Sequence, residues 1–212
     1  MMADNSPYYE SGVKLGYTSP DQRWFAGLLF LNGWQRIQRA PGNQTPAMGH
    51  QLTFKPSERI TLNSSSYIGN EQPDSLRKMR YFHNLYGIFQ VSNRVGLIAG
   101  FDIGAEQTAK KSNQYHTWFT PVAIVRIALD SKWTLALRGE YFQDKSGVLI
   151  YSATPNGFKT WGYSGNIDFK VNNQASWRME YRRFSGKDAV FTRNGTPTRQ
   201  NAMLASALVL AF

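Results

Sequence analysis

Apolar and polar residues alternate one by one along much of this chain. In VGLIAGFDIGAE, Val95, Leu97, Ala99, Phe101, Ile103 and Ala105 share one side, and Gly96, Ile98, Gly100, Asp102, Gly104 and Glu106 share the other. A period of two belongs to an extended strand with one apolar face; a helix needs apolar residues three and four apart. KWTLALRGEYFQD repeats it, with Trp133, Leu135, Leu137 and Tyr141 against Thr134, Ala136, Arg138 and Glu140. TWGYSGNIDFKV sets Trp161, Tyr163, Ile167 and Phe169 against Ser164, Asn166, Asp168 and Lys170, and ASWRMEYRRF sets Trp177, Met179 and Tyr181 against Arg178, Glu180 and Arg182. Less regular segments fill the gaps. The pattern predicts about eleven strands, at 8–18, 23–37, 48–56, 59–69, 80–92, 95–107, 116–130, 132–144, 159–172, 174–186 and 201–212. Segment 23–37 is apolar on both faces, so its sides stay unassigned.

Two kinds of connection alternate between these strands. Tight ones centre on Pro20-Asp21, Pro56-Ser57, Ser92-Asn93, Asp130-Ser131 and Asn172-Asn173, residues that fix φ or bond their own backbone. Long polar ones are RAPGNQTPAMG, NEQPDSLRKM, TAKKSNQYH, KSGVLIYSATPNGF and KDAVFTRNGTPTRQ. Short and long in strict turn describe an up-and-down meander, with short turns on one rim and long loops on the other. Strands of about ten to thirteen residues exceed the five or six usual in soluble sheets. They match the roughly nine to eleven that a tilted strand needs to cross a bilayer core. Mean hydropathy is only −0.44, as expected where lipid-facing and lumen-facing residues alternate. Tyr9, Tyr17, Tyr81, Trp133, Tyr141, Trp161 and Trp177 sit near the ends of the apolar stripes, at the level where headgroups favour aromatic rings. The expected fold is all-β: one antiparallel up-and-down transmembrane β-barrel over residues 1–212. The alternative, a soluble sandwich with the same rings inside, normally has shorter strands.

Composition narrows the chemistry. There is no cysteine, which excludes disulfides, thiolate metal sites and a cysteine nucleophile. The formal charge of +10 is scattered rather than blocked. With no zinc-finger or helix-turn-helix spacing, it gives no case for nucleic acid. MMADNSPYYE lacks the basic and apolar regions of a signal peptide, which leaves a cytoplasmic protein or a start that is missing or processed away.

The polar side of the strands carries Lys14, Asp102, Glu106, Arg138, Glu140, Asp168, Lys170, Arg178, Glu180 and Arg182. Lining a pore, such charges select solutes; on adjacent strands they pair with one another. Pairing is the expectation for most. Arg138, Arg178 and Arg182 outnumber Glu140 and Glu180, so an open lumen would favour anions. Large inward residues, Tyr67, Tyr86, Phe142 and Phe184, bear on whether the lumen is filled. His50, His83 and His116 are far apart in sequence and lack nearby carboxylates, so no metal or other cofactor is expected. No G-x-S-x-G elbow is present, and the expectation is a non-enzyme. The functions in view are a porin-like channel, a plugged interaction barrel within a larger complex, and a soluble ligand-binding barrel.

Two stretches resemble known proteins. NAMLASALVLAF, ending on Phe212 with Leu204, Leu208 and Leu210 on the same face, resembles the carboxyl-terminal signature of Gram-negative outer-membrane proteins. That likeness implies that Phe212 is read by the barrel-assembly machinery. ADNSPYYESG and FLNGWQRI resemble the OmpL-like β-barrel porin family of the bacterial outer membrane. The resemblance implies a pore in a lipid bilayer and carries no catalytic residues. Family members are longer, and this chain resembles their carboxyl-terminal part. An eleven-strand meander ending on the short-turn side begins on the long-loop side, whereas complete bacterial barrels have an even number of strands, which leaves either a strand count off by one or a carboxyl-terminal fragment. For a fragment, the missing strands are expected from a second polypeptide or a cleaved amino-terminal half.

Overall fold

The structure, a computed structural model, describes residues 5–211; Phe212, the expected assembly signal, lies outside the described residues. The strands are β1 (Gly12–Thr18), β2 (Trp24–Leu31), β3 (Ala47–Ser57), β4 (Ile60–Asn70), β5 (Met79–Gln90), β6 (Val95–Gln107), β7 (Tyr115–Ala128), β8 (Trp133–Asp144), β9 (Phe158–Lys170), β10 (Ala175–Gly186), β11 (Phe191–Arg193), β12 (Thr196–Thr198) and β13 (Gln200–Leu210). Eleven of them form one antiparallel sheet in chain order, β1 to β10 and then β13, while β11 and β12 make a separate hairpin. The meander and its alternation of short turns with long loops are those expected from the sequence.

Two predicted strands are shorter than expected. The first begins at Gly12 rather than residue 8, and the second ends at Leu31 rather than residue 37. Gly33 (φ +135°) and Gln35 (φ +53°) turn the chain off the sheet, a geometry that glycine adopts at no steric cost. The two-sided apolarity of this segment then has a cause. Trp24, Leu28 and Phe30 lie on the exposed outer face, and Leu29 and Leu31 pack inside under the turned chain.

Register defines the two faces. Lys14, Leu29, Gly49, Tyr67, Phe82, Gly104, Trp118, Asp144 and Phe158 stand side by side across β1 to β9. On this inner face Tyr67, Asp102, Trp118, Glu140, Phe142 and Asp144 are almost wholly buried. The outer face exposes Leu15, Leu28, Leu52, Leu85, Phe101, Ile103, Leu137 and Leu208. An apolar outside around a charged inside inverts the rule for a soluble domain and suits a membrane barrel.

Aromatic rings on the outer face gather in two bands. At the short-turn end Trp24 stacks on Phe54 (4.1 Å) and Trp133 meets Phe169 (4.4 Å). Trp177 lies there too, donating its Nε1–H to Ser206 Oγ at 2.7 Å. At the long-loop end Tyr81 meets Tyr115 (6.1 Å), Tyr141 meets Trp161 (4.8 Å) and Trp161 stacks with Tyr163 (6.3 Å). Tyr17 stands on the outer face of β1. Tyr9 differs from its expected strand position: it precedes β1, and its hydroxyl donates to the Gln35 carbonyl at 2.8 Å.

Candidate functional site: the charged inner face

The inner face is built by residues that the long loops press into it. Trp34 enters from loop 32–46 and meets Tyr67 and Phe82 edge-on at 5.2 Å and Trp118 at 6.2 Å. Gly104 makes room: a Cβ there would run into the Trp118 ring. The Trp34 amide donates to Glu71 Oε1 at 2.9 Å, Arg36 Nε donates to Glu71 Oε2 at 3.2 Å, and the Tyr67 hydroxyl also donates to Glu71. Arg80 lies over the Trp34 and Trp118 rings at 5.3 and 5.9 Å and pairs with Glu106 at 2.6 Å. Asp144, fully buried, accepts the backbone N–H groups of Val148, Leu149 and Ile150, so loop 145–157 folds over the same mouth. Asp74 ties the loops together by accepting from Thr45 Oγ1 at 2.8 Å and the Gln44 amide at 3.0 Å. Those hydrogen bonds, the Thr45 hydroxyl foremost, hold its carboxyl below the usual carboxylate range.

Opposite this packed side lies the charge cluster. Arg138 Nη2 reaches Glu140 Oε2 at 2.6 Å along β8, and Arg182 Nη2 donates to Glu140 Oε1 from β10. Gly162 of β9 stands directly across from Glu140 and has no side chain, so Arg182 can reach over the intervening strand. The Nε atoms of both arginines are buried without a hydrogen-bond partner among the described residues. One carboxylate thus carries two guanidiniums. Between cluster and packed side is a cavity of about 570 Å³, lined by Glu10, Gln51, Ser65, Asn84, Asp102, Arg138 and Arg182 among others. Asn5, fully buried, and Asn84 both donate to Asp102.

All ten charged residues singled out in the sequence fall on the inner face by register. Several are paired: Arg80 with Glu106, Arg138 and Arg182 with Glu140, and Arg178 with Asp168 at 3.5 Å. Lys14 donates to Gln51 at 2.6 Å. Sequence reasoning did not single out Trp34, Glu71, Arg80, Asn84 or Asp144. Arg80 and Asn84 shared the even positions of MRYFHNLYGIFQ and could have been found there; the loop residues left no periodic signal. His50 and His83, distant in sequence, come to 5.7 Å on the outer face. Ser64 Oγ stands 3.1 Å from His50 Nε2 and 3.2 Å from His83 Nε2. This network satisfies polar groups that a membrane core would otherwise penalise.

Charge is unevenly placed along the barrel axis. The five long loops hold ten basic residues, Arg36, Arg39, Arg77, Lys78, Lys110, Lys111, Lys145, Lys187, Arg193 and Arg199, against Glu71, Asp74 and Asp188. Most of the net positive charge therefore rings one mouth. Longer loops are extracellular in outer-membrane barrels.

A family model described as "Putative beta-barrel porin-2, OmpL-like" matches residues 1–212. The chain belongs to this family. It is an outer-membrane β-barrel and a porin-like channel, and the exposed apolar face is the surface that such a protein turns to lipid. The soluble ligand-binding alternative falls with that assignment. No curated protein matches the chain. Among solved structures, a NanC porin is similar at a TM-score of 0.53 and 11% identity, over 96% of this chain and 97% of that one. An anion-selective porin from Comamonas acidovorans is similar at a TM-score of 0.71 and 9% identity, over 100% of this chain and 65% of that one. At these identities the likeness concerns the fold.

Proposed function

We propose that this porin-family channel passes small polar solutes with a preference for anions. The carrying observation is the Arg138–Glu140–Arg182 cluster, two guanidiniums on one carboxylate beside the cavity. The cluster by itself carries a net positive charge, partly offset by Glu10 and Asp102 on the same cavity lining, and positive charge on a low-dielectric wall raises the local concentration of anions. The basic ring of extracellular loops acts in the same direction and draws anions to the mouth. The similar Comamonas protein is described as anion-selective, which supports the reading without extending to residues. In planar bilayers under a salt gradient, the reversal potential is expected to have the sign of anion preference. Replacing both Arg138 and Arg182 by Gln should move it toward zero or reverse it. Cation preference in the unaltered protein would overturn the proposal.

We further infer that strands outside residues 5–211 complete the wall, supplied by another polypeptide or by a separate segment of the same protein. Every residue of β1 and of β13 is exposed, on both faces. Open strand edges in hydrocarbon leave backbone N–H and C=O groups unsatisfied at several kcal/mol each. The sheet also overlays better on part of a longer porin than on one of its own length. The native complex, extracted in mild detergent, should have a mass exceeding one copy of this 24.1 kDa chain. A monomer of that mass that conducts ions would refute the inference.

A further inference from the structure

A second recess opens on the opposite side of the wall from the pore cavity. Tyr181 and Arg183 of β10 and Gln200 of β13 stand on the outer face at the long-loop end, and the β11–β12 hairpin brings Thr192 and Arg193 beside them. With Asn201 and Ala202 they line a volume of about 420 Å³. On the outer face the lining offers two guanidiniums, two hydroxyls and the Gln200 amide, and among the described residues no carboxylate. Arg183 Nη2 donates to Gln200 Oε1 at 2.7 Å, which holds that guanidinium against β13. The one acid of the neighbouring loop, Asp188, is engaged by the Asn156 backbone N–H at 2.9 Å and by its side-chain amide at 3.1 Å.

Depth decides what such a recess meets. Arg183 pairs across the sheet with Tyr163 and Ala202, within the extracellular aromatic band of Trp161, Tyr163 and Tyr181. Nearer the membrane centre, β13 exposes Leu204, the partner of Tyr181. An arginine on the outer face is costly among acyl chains and favourable at headgroup level, where its fork matches phosphate oxygens. We propose that this recess binds the phosphorylated headgroup of an outer-leaflet lipid, through Arg183 and Arg193, with the acyl chains running inward past Leu204. The position on the outer face separates it from the solute path, so the proposal stands or falls independently of anion preference.

The test uses the native complex extracted in mild detergent and titrated with bis-phosphorylated lipid A, its dephosphorylated form, or inorganic phosphate. Lipid adducts are read by native mass spectrometry and by the thermal unfolding midpoint. The phosphorylated lipid should bind and raise the midpoint, and the other two should not. Arg183→Gln and Arg193→Gln should each weaken its apparent affinity about fivefold. Arg77→Gln, on a loop away from the recess, should leave it unchanged. Circular dichroism of each variant checks that the barrel is intact. Equal binding of the dephosphorylated lipid, an equal shift with inorganic phosphate alone, or an equal loss in Arg77→Gln would each overturn the site.

Discussion

Replacing Glu140 by Gln is expected to destabilise the protein by about 2–3 kcal/mol and to strengthen its anion preference. The carboxylate is buried, with 1% of its side chain exposed, and it neutralises one of two guanidiniums. Glutamine keeps the shape and removes the charge, so Arg138 and Arg182 then face each other across one neutral amide. Breaking a fully buried pair costs about 3–5 kcal/mol. The figure is lower here because the arginine side chains are 25% and 21% exposed, and solvent screens part of the repulsion. Urea titration in detergent measures the first effect and the reversal potential the second. A shift toward cations would mean that the cluster does not face the solute path.

Trp34→Ala should cost about 3–4 kcal/mol, the usual range for truncating a buried aromatic, and should widen the channel. Trp34 is 7% exposed and touches Tyr67, Phe82 and Trp118 edge-on, with the Arg80 guanidinium over its ring. Alanine leaves a cavity among three aromatic rings and releases loop 32–46 from the inner face. Single-channel conductance should therefore rise as stability falls. Unchanged conductance with the expected loss of stability would show that the loop packs beside the solute path rather than across it.

The two substitutions differ in how far their sites could be read in advance. Glu140 and its arginines were visible in the residue order. KWTLALRGEYFQD and ASWRMEYRRF alternate so regularly that Arg138, Glu140 and Arg182 had to share the polar side, whatever the rest of the chain did. Trp34 was not visible. In RWFAGLLFLNGWQRI it looks like one more apolar strand residue, and only the backbone reversal at Gly33 and Gln35 removes it from β2. His50 and His83 make the same point on the outer face, since nothing local says that β3, β4 and β5 bring them together through Ser64.

Residue order therefore specified the strands, the face each side chain takes, the meander, and the contrast between short turns and charged loops. These depend on the period of two and on turn chemistry, both properties of neighbouring residues. The infolding of loops 32–46 and 145–157, the double pairing on Glu140 and the shape of the cavity came only with the assembled sheet. Each depends on partners far apart along the chain, such as Trp34 and Glu71 or Glu140 and Arg182. Pleating and turn preference act over two to four residues, whereas these contacts arise only once the curvature of eleven strands brings distant side chains within reach.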